Sequence, residues 1–324
     1  MPAIPLLFYS FVTTSYLLSA PEGISLDITL SYVISGVFTG FIFAAAIYKG
    51  SRKTFQIRKE DYQMKKARTI MSLLLVALLI VFAFPDCNTK AESSVKTGII
   101  GAMDEEVDSL KKAVSDAKTT SIGSMEFCEG MLDGQSVVIV KCGVGKVNAG
   151  NCAQILISIF GVNRIINTGV AGSLDASIDI GDIVVSTDAV QHDFDLTPLG
   201  YAPGALYEIG SPSLPADVSM RERAVNAVRQ CAPEVHVFEG RVCTGDQFIA
   251  SAEQKDAIVA VFGGLCCEME GGAIAQICCQ NEVPFVIIRA ISDKADGSAE
   301  MDYTEFEHAS AVRCAAITRY MITH

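Results

Sequence analysis

The sequence predicts an α/β fold: a three-layer α/β/α sandwich around a mixed central sheet, preceded by N-terminal hydrophobic segments. Three observations lead there. Apolar runs with no polar face, such as Phe285-Val286-Ile287-Ile288, read as strands buried on both sides. These runs alternate with stretches of helical periodicity, which sets most strands parallel with helices as crossovers. Asp133-Gly134, between two short apolar runs, is a hairpin signal, so part of the sheet is antiparallel.

Taken in order, Val95 to Ala102 reads as the first strand, and Met103-Asp104-Glu105-Glu106 opens a helix with Val107, Leu110 and Val114 on one face. Acidic residues in a first helical turn are favoured by the helix dipole alone. Met125 to Leu132 and Gln135 to Lys141 form the hairpin pair. Gly143-Val144-Gly145-Lys146 follows and precedes a helix from Val147 to Phe160. It has neither GxGxxG nor Walker spacing, so its glycines serve close backbone approach rather than a phosphate. Arg164 to Thr168 and Ile183 to Val190 are buried strands, the second ending at His192-Asp193. No serine or cysteine nucleophile motif accompanies that pair, which reads as a structural loop element. Asp217 to Gln230 is a helix, Val235 to Cys243 a strand leading into Thr244-Gly245-Asp246-Gln247-Phe248-Ile249, and helices at Ala273 to Gln280 and Glu305 to Ile322 close the domain.

Charge is uneven along the chain. Residues 1–94 carry 9 Lys and Arg against 6 Asp and Glu; the whole chain carries 25 against 37, which leaves 16 against 31, a net −15, for the remainder. So acidic a body argues against nucleic acid as a partner. The 11 cysteines are odd in number and form no CxxC. They read as buried small hydrophobes rather than as a disulfide framework or zinc site.

Residues 28–48 are apolar, uncharged and long enough to span a bilayer. Residues 70–84 are shorter and follow Met64-Lys65-Lys66-Ala67-Arg68, the layout of a secretory signal or membrane anchor. The expected organisation is thus residues 1–63 as a hydrophobic extension, 64–94 as signal or anchor plus linker, and 95–324 as the globular domain. Either Met1 or Met64 serves as the start, and both versions place the domain outside the cytoplasmic membrane. The alternative is a cytoplasmic domain behind an over-extended gene start, which the unpaired cysteines favour.

Two strand ends carry the chemistry. The run from Phe285 turns polar at Arg289, Ser292 and Asp293, and Cys266-Cys267-Glu268-Met269-Glu270 changes character just before a helix. Polar side chains at the carboxyl ends of buried strands are where open α/β sheets hold ligands. Glu270 and Asp293 are therefore expected around one small molecule, with Phe248, just past another strand end, as a platform for a flat ligand.

Together, GIIGAMDEEV (Gly98 to Val107), CGVGKV (Cys142 to Val147), INTGVAGSL (Ile166 to Leu174), GDIVVS (Gly181 to Ser186), GDQFI (Gly245 to Ile249), EMEGGAIA (Glu268 to Ala275) and VPFVIIRAISDKAD (Val283 to Asp296) resemble the bacterial 5′-methylthioadenosine/S-adenosylhomocysteine nucleosidases. The resemblance runs from about Val95 to the C-terminus. It implies the nucleoside phosphorylase fold and hydrolysis of the adenine N-glycosidic bond in salvage of S-adenosylmethionine by-products, with no metal or cofactor. Residue by residue, it puts the water-activating base on Glu106 and the acid that protonates adenine N7 on Asp293, positioned by Ser292. Glu270 falls on the carboxylate that grips the ribose hydroxyls, with Met269 beneath the sugar and Arg289 close by. Phe248 and Ile249 fall on the adenine pocket, Tyr303 on an aromatic position over the ligand, and Met103 and Gly172 on its walls. The resemblance also implies a homodimer.

The chemistry suits these residue types. Adenine leaves poorly unless it gains a proton, a general acid contributes about 10²–10⁴-fold, and a second carboxylate must deprotonate the attacking water. Two other activities stay open at this point. A purine nucleoside phosphorylase would need cations where Met103-Asp104-Glu105-Glu106 offers carboxylates. A non-catalytic nucleoside-binding receptor would need Glu270 but have no use for Glu106. Preference among 5′-substituents, and cleavage of aminodeoxyfutalosine, are not decided by motifs.

Overall fold

The structure is a computed structural model, and it describes residues 95–324 and, upstream of them, Met71 alone. The expected membrane span at 28–48 and the apolar stretch at 70–84 lie outside the described residues, apart from Met71. Among the described residues, no helix is long and apolar enough to cross a membrane.

β1 (Lys96–Gly101) leads into α1 (Asp104–Lys112), and three antiparallel strands follow, β2 (Ser115–Ile122), β3 (Met125–Leu132) and β4 (Gln135–Lys141). The Asp133-Gly134 turn joins the last two, with φ of 48° and 85° at its two residues, the left-handed conformations a tight hairpin requires. Next come α2 (Lys146–Ser158), β5 (Arg164–Ser173), β6 (Ile183–Gln191), the short β7 (Leu214–Pro215), α3 (Val218–Cys231), β8 (Val237–Thr244), α4 (Ala252–Phe262), β9 (Cys266–Glu268), α5 (Gly271–Gln280), β10 (Phe285–Asp293) and α6 (Ala299–Thr323).

The three layers are present. Alternate residues of the buried strands pack in opposite directions, as the period of two demands. Ile100, Val138, Val140, Ile165, Phe285 and Ile287 face α2 and α5. Ile99, Val137, Ile139, Ile166, Val286 and Ile288 face α1, α3 and α6.

What the sequence did not suggest is that the sheet closes on itself. The first four residues of β5 pair in parallel with β1 through Arg164–Asn167, while Gly172 and Ser173 at its far end pair antiparallel with β9. The other edge of β5 runs parallel to β10. β10 then pairs with β6, β6 with β8 and β8 with β9, which returns to β5. One end of the sandwich is therefore a ring, and the other runs out as β1, β4, β3 and β2. The register sets Gly172 of β5 beside both Asp293 of β10 and Cys267 of β9, and Thr244 of β8 beside Glu268 of β9, so the last residues of four strands meet although β8 and β9 run opposite to β5 and β10.

Besides the two-residue β7, two elements have no counterpart in the sequence pattern. β2 is an edge strand, exposed along most of its length, so no apolar alternation marks it. α4 buries only Ile258 and is held at its start by Ser251, whose side chain accepts from Gln254 N. Helix α1 also stops two residues short of Val114, and β10 extends past its apolar run to Asp293, so Arg289 lies within the strand rather than after it.

Candidate active site

Glu106 is placed by its own helix. It sits at the third position of α1, where a carboxylate reaches back to the free N–H groups of the helix start. Its Oε2 accepts from Ala102 N at 2.5 Å and Met103 N at 3.1 Å. Its Oε1 accepts from Val170 N at 3.1 Å, on β5. The side chain is 1% exposed. Burial pushes its pKa up, opposed by the charge of Arg289 and by those three N–H donors.

Asp293 ends β10, where the pairing with β5 shifts register between Ile291 and Asp293. Such a bulge re-aims the side chains beyond it. Asp293 Oδ1 accepts from Ala295 N at 2.8 Å, and Oδ2 lies 2.9 Å from the Ser292 hydroxyl. That hydroxyl also lies 3.4 Å from Ala171 O. Gly172 stands directly opposite, and a Cβ there would come 2.7 Å from Asp293 Oδ1. Burial raises the Asp293 pKa. The charges that add to the rise are those of Asp302, on α6, and Asp296, so Asp293 owes its shift first to desolvation and then to nearby acids.

Arg289, in mid-strand and 1% exposed, is the largest fully buried side chain among the described residues. A buried guanidinium demands counter-charge. It is ion-paired to Glu268 and lies 3.4 Å from Glu270 Oε2. Its Nη2 also donates to Asn167 Oδ1 at 2.7 Å, and its Nη1 to Val170 O at 3.2 Å. Sequence reasoning placed Arg289 beside Glu270 and missed Glu268, the closer partner. Glu268 also accepts from Glu270 N at 3.0 Å and Gly271 N at 2.7 Å, capping α5. The signal was available: an arginine inside a strand buried throughout needs a carboxylate, and Glu268 precedes Glu270 by two residues. Glu270 takes its other contact from Gly145 N, at 2.9 Å. Burial pushes the Glu270 pKa up to about 7, with Arg289 opposing and Glu268 adding to the rise.

The glycine-rich loop thus brings backbone up to a neighbouring carboxylate. His192-Asp193 serves as a tie between loops, with Asp193 accepting from Lys146 Nζ at 2.6 Å and Asp246 N at 2.8 Å. Eight of the described cysteines are buried; Cys267 among them lines the cavity. Among the described residues, no group of three or more His, Cys, Asp and Glu side chains is arranged to hold a metal ion.

These side chains surround one cavity of about 230 Å³. Glu106, Asp293, Glu270, Met269, Phe248, Ile249, Ser292, Arg289, Met103, Gly172 and Tyr303 all line it, joined by Glu268, Gln247 and Val144 among others. Phe248 and Tyr303 meet edge to face at 5.6 Å, and the Tyr303 hydroxyl reaches Met103 Sδ at 3.2 Å. Phe248 is 45% exposed, so it is wall rather than core. Carboxylates on several sides of a small space with aromatic walls can bind a polyol and move protons on a flat heterocycle.

The fold and site define a domain of the Phosphorylase superfamily, whose family model matches residues 96–323. A 5′-methylthioadenosine/S-adenosylhomocysteine nucleosidase of Shewanella denitrificans is 40% identical over 228 residues, covering 69% of this chain and 98% of that one. The chain is also similar to the crystal structure of the Neisseria meningitidis nucleosidase in complex with methylthio-immucillin-A, with TM-score 0.68 and 35% identity over 70% of this chain and 98% of that one. The Colwellia psychrerythraea enzyme in complex with adenine has TM-score 0.68 and 39% identity, over 71% and 95%. The chain belongs to the 5′-methylthioadenosine/S-adenosylhomocysteine nucleosidase family.

Proposed function

We propose that the domain is an N-glycosyl hydrolase that releases adenine from 5′-methylthioadenosine and S-adenosylhomocysteine, and from 5′-deoxyadenosine as well. The observation that carries this reading is the convergence of Glu106, Glu270 and Asp293, three of the four buried carboxylates on a single cavity, the fourth being Glu268, which is ion-paired to Arg289. Each has a distinct task. Asp293, whose pKa burial raises and whose Oδ2 meets the Ser292 hydroxyl, gives its proton to adenine N7 as the bond to C1′ breaks. Glu106, ionised and held by backbone N–H groups, takes a proton from the water that attacks C1′. Glu270 accepts from the ribose hydroxyls and fixes the ring against that water. Met269 supports the sugar, and Phe248, Ile249 and Tyr303 enclose the base and its surroundings.

Phosphorolysis is disfavoured on charge. Among the described residues, Arg289 is the one cation lining the cavity, and Glu268 and Glu270 engage it. A binding-only receptor leaves Glu106 without a purpose. The deciding experiment is adenine release by the full chain from each of the three nucleosides, with and without phosphate. Equal rates in both conditions are expected. A strict need for phosphate would make the protein a phosphorylase, and binding without release a receptor.

The active form is read as a homodimer. Val144 and Phe248 line the cavity yet are 50% and 45% exposed, apolar surface that a second chain would cover. Sedimentation at assay concentration checks it, a monomer with full activity being the contrary result. The basic cluster before residues 70–84 supports a domain held outside the cytoplasmic membrane. Fractionation of cells for the activity tests that, and recovery in the cytoplasm would reverse it.

A further inference from the structure

Three loops, leaving β4, β6 and β8, are tied together beside the cavity by polar contacts that the reaction above does not use. Lys146 Nζ donates to Asp193 Oδ1 at 2.6 Å and to Gln191 Oε1 at 3.3 Å. Asp193 Oδ2 accepts from Asp246 N at 2.8 Å. Asp246 Oδ1 accepts from Lys146 N at 2.8 Å, which closes the circuit. The Lys146 and Asp193 side chains are only 18% and 21% exposed, so this pair is better shielded than an open surface ion pair.

Two cavity contacts hang from this circuit. Gly145, next to Lys146, supplies the N–H that Glu270 Oε1 accepts at 2.9 Å. Its φ is 99°, and a Cβ there would stand 3.1 Å from Asp246 Oδ1, so only glycine suits the approach. Asp246 lies two residues before Phe248. Beneath it the His192 ring fills the space that a side chain at Gly245 would need, seating the β8 loop on the end of β6.

We propose that Lys146, Asp193 and Asp246 form a latch that presents the Gly145 N–H to Glu270 and seats the Phe248 wall, which makes Lys146 and Asp193 positioning residues for recognition of the ribose hydroxyls. Glu270 has two side-chain contacts, Arg289 at 3.4 Å and Gly145 N at 2.9 Å. With the shorter one loosened, the carboxylate no longer meets the diol at a fixed place, and orientation of that kind is what small displacements destroy. The latch touches neither Glu106 nor Asp293, so the protonation steps keep their pH dependence. The proposal rests on the reading of Glu270 as the group that holds the ribose.

The test compares hydrolysis of methylthioadenosine and its 3′-deoxy analogue by the full chain, by Lys146→Met, by Glu270→Gln and by the double variant. For Lys146→Met, kcat/KM on methylthioadenosine is expected to fall about 10–100-fold, mainly through KM, and only a few-fold on the 3′-deoxy analogue. In the Glu270→Gln background the same change is expected to add less than about threefold, because the two residues act through one contact. Lys146→Arg should restore most of the ribose preference. Asp193→Asn reports on the same latch should Lys146→Met fail to fold. A Lys146→Met enzyme with undiminished ribose preference, or additive losses in the double variant, overturns the latch and leaves the hydrolysis standing. A Glu270→Gln enzyme with the wild-type preference instead overturns the reading of Glu270, and the latch with it.

Discussion

Glu106, in the first turn of α1, and Asp293, at the end of β10, line the same cavity, and burial raises the pKa of both. Their hydrogen bonds set them apart. Glu106 accepts from three backbone N–H groups drawn from two separate parts of the chain, and none of these donors can turn into an acceptor. A proton on either oxygen would face an N–H. Asp293 has one such N–H, on Oδ1, while its other oxygen meets a hydroxyl. Ser292 can donate to Asp293 Oδ2, or turn its hydrogen toward Ala171 O and accept a proton from the acid. One site is built to stay an anion and the other to gain and lose a proton. On the proposed reading, similar burial serves a base in one place and an acid in the other, and the difference lies in whether the neighbouring dipoles are fixed or free.

The strongest break in that comparison is Asp293→Asn. Adenine would then leave unprotonated, and kcat is expected to fall about 10⁴-fold. A variant releasing adenine at the wild-type rate would remove the acid from the mechanism. Glu106→Gln should cost about 10²–10³-fold in turnover while adenine-nucleoside affinity, read by calorimetry, stays within a few-fold. Its amide NH₂ would also face backbone donors, so a loss of about 1–3 kcal/mol in stability is expected alongside. Affinity lost together with turnover would mean that Glu106 is structural.

Glu270 sharpens the comparison through stability. Its carboxyl is pushed up to about 7 in the folded state, against an ordinary value of 4.5. Between those values the folded state binds more protons than the unfolded chain, so rising pH removes stability across that window. Glu270→Gln escapes the loss. Its thermal stability is expected to exceed that of the native chain at pH 8, by up to about 3 kcal/mol, with most of the gain gone at pH 5. A gain independent of pH would show that the carboxylate is not strained by burial. The smallest effect is expected from Gly172→Ala, whose methyl group would press on Asp293 Oδ1 and on Ala295, both under 3 Å away. About 1–2 kcal/mol of stability and about tenfold in kcat are expected to go. An unchanged kcat would mean that Asp293 has room to move.

Much of this was legible along the chain. The unbroken apolar run of β10 announced a strand covered on both faces, Asp133-Gly134 announced a hairpin, and Glu106 stood where a helix start welcomes a carboxylate. These are local signals, in which the cause lies within a few residues of the effect. The missed elements, β2 and α4, bury too little to leave a pattern. Glu268 was overlooked for another reason. Beside Glu270 it reads as one more acid at a strand end, and only the buried Arg289 across the sheet gives it a task.

Residue order by itself determined which of the well-buried segments become strands and helices, because solvent sorts apolar from polar side chains at a period of two or 3.6 without reference to distant partners. Tertiary structure alone decided that the sheet closes into a ring and that Gly145 meets Glu270 from 125 positions away. It also decided which carboxylate faces fixed N–H groups and which a rotating hydroxyl. Such matters depend on the direction in which a backbone arrives, and that is set by the packing of every layer at once rather than by any neighbouring residue.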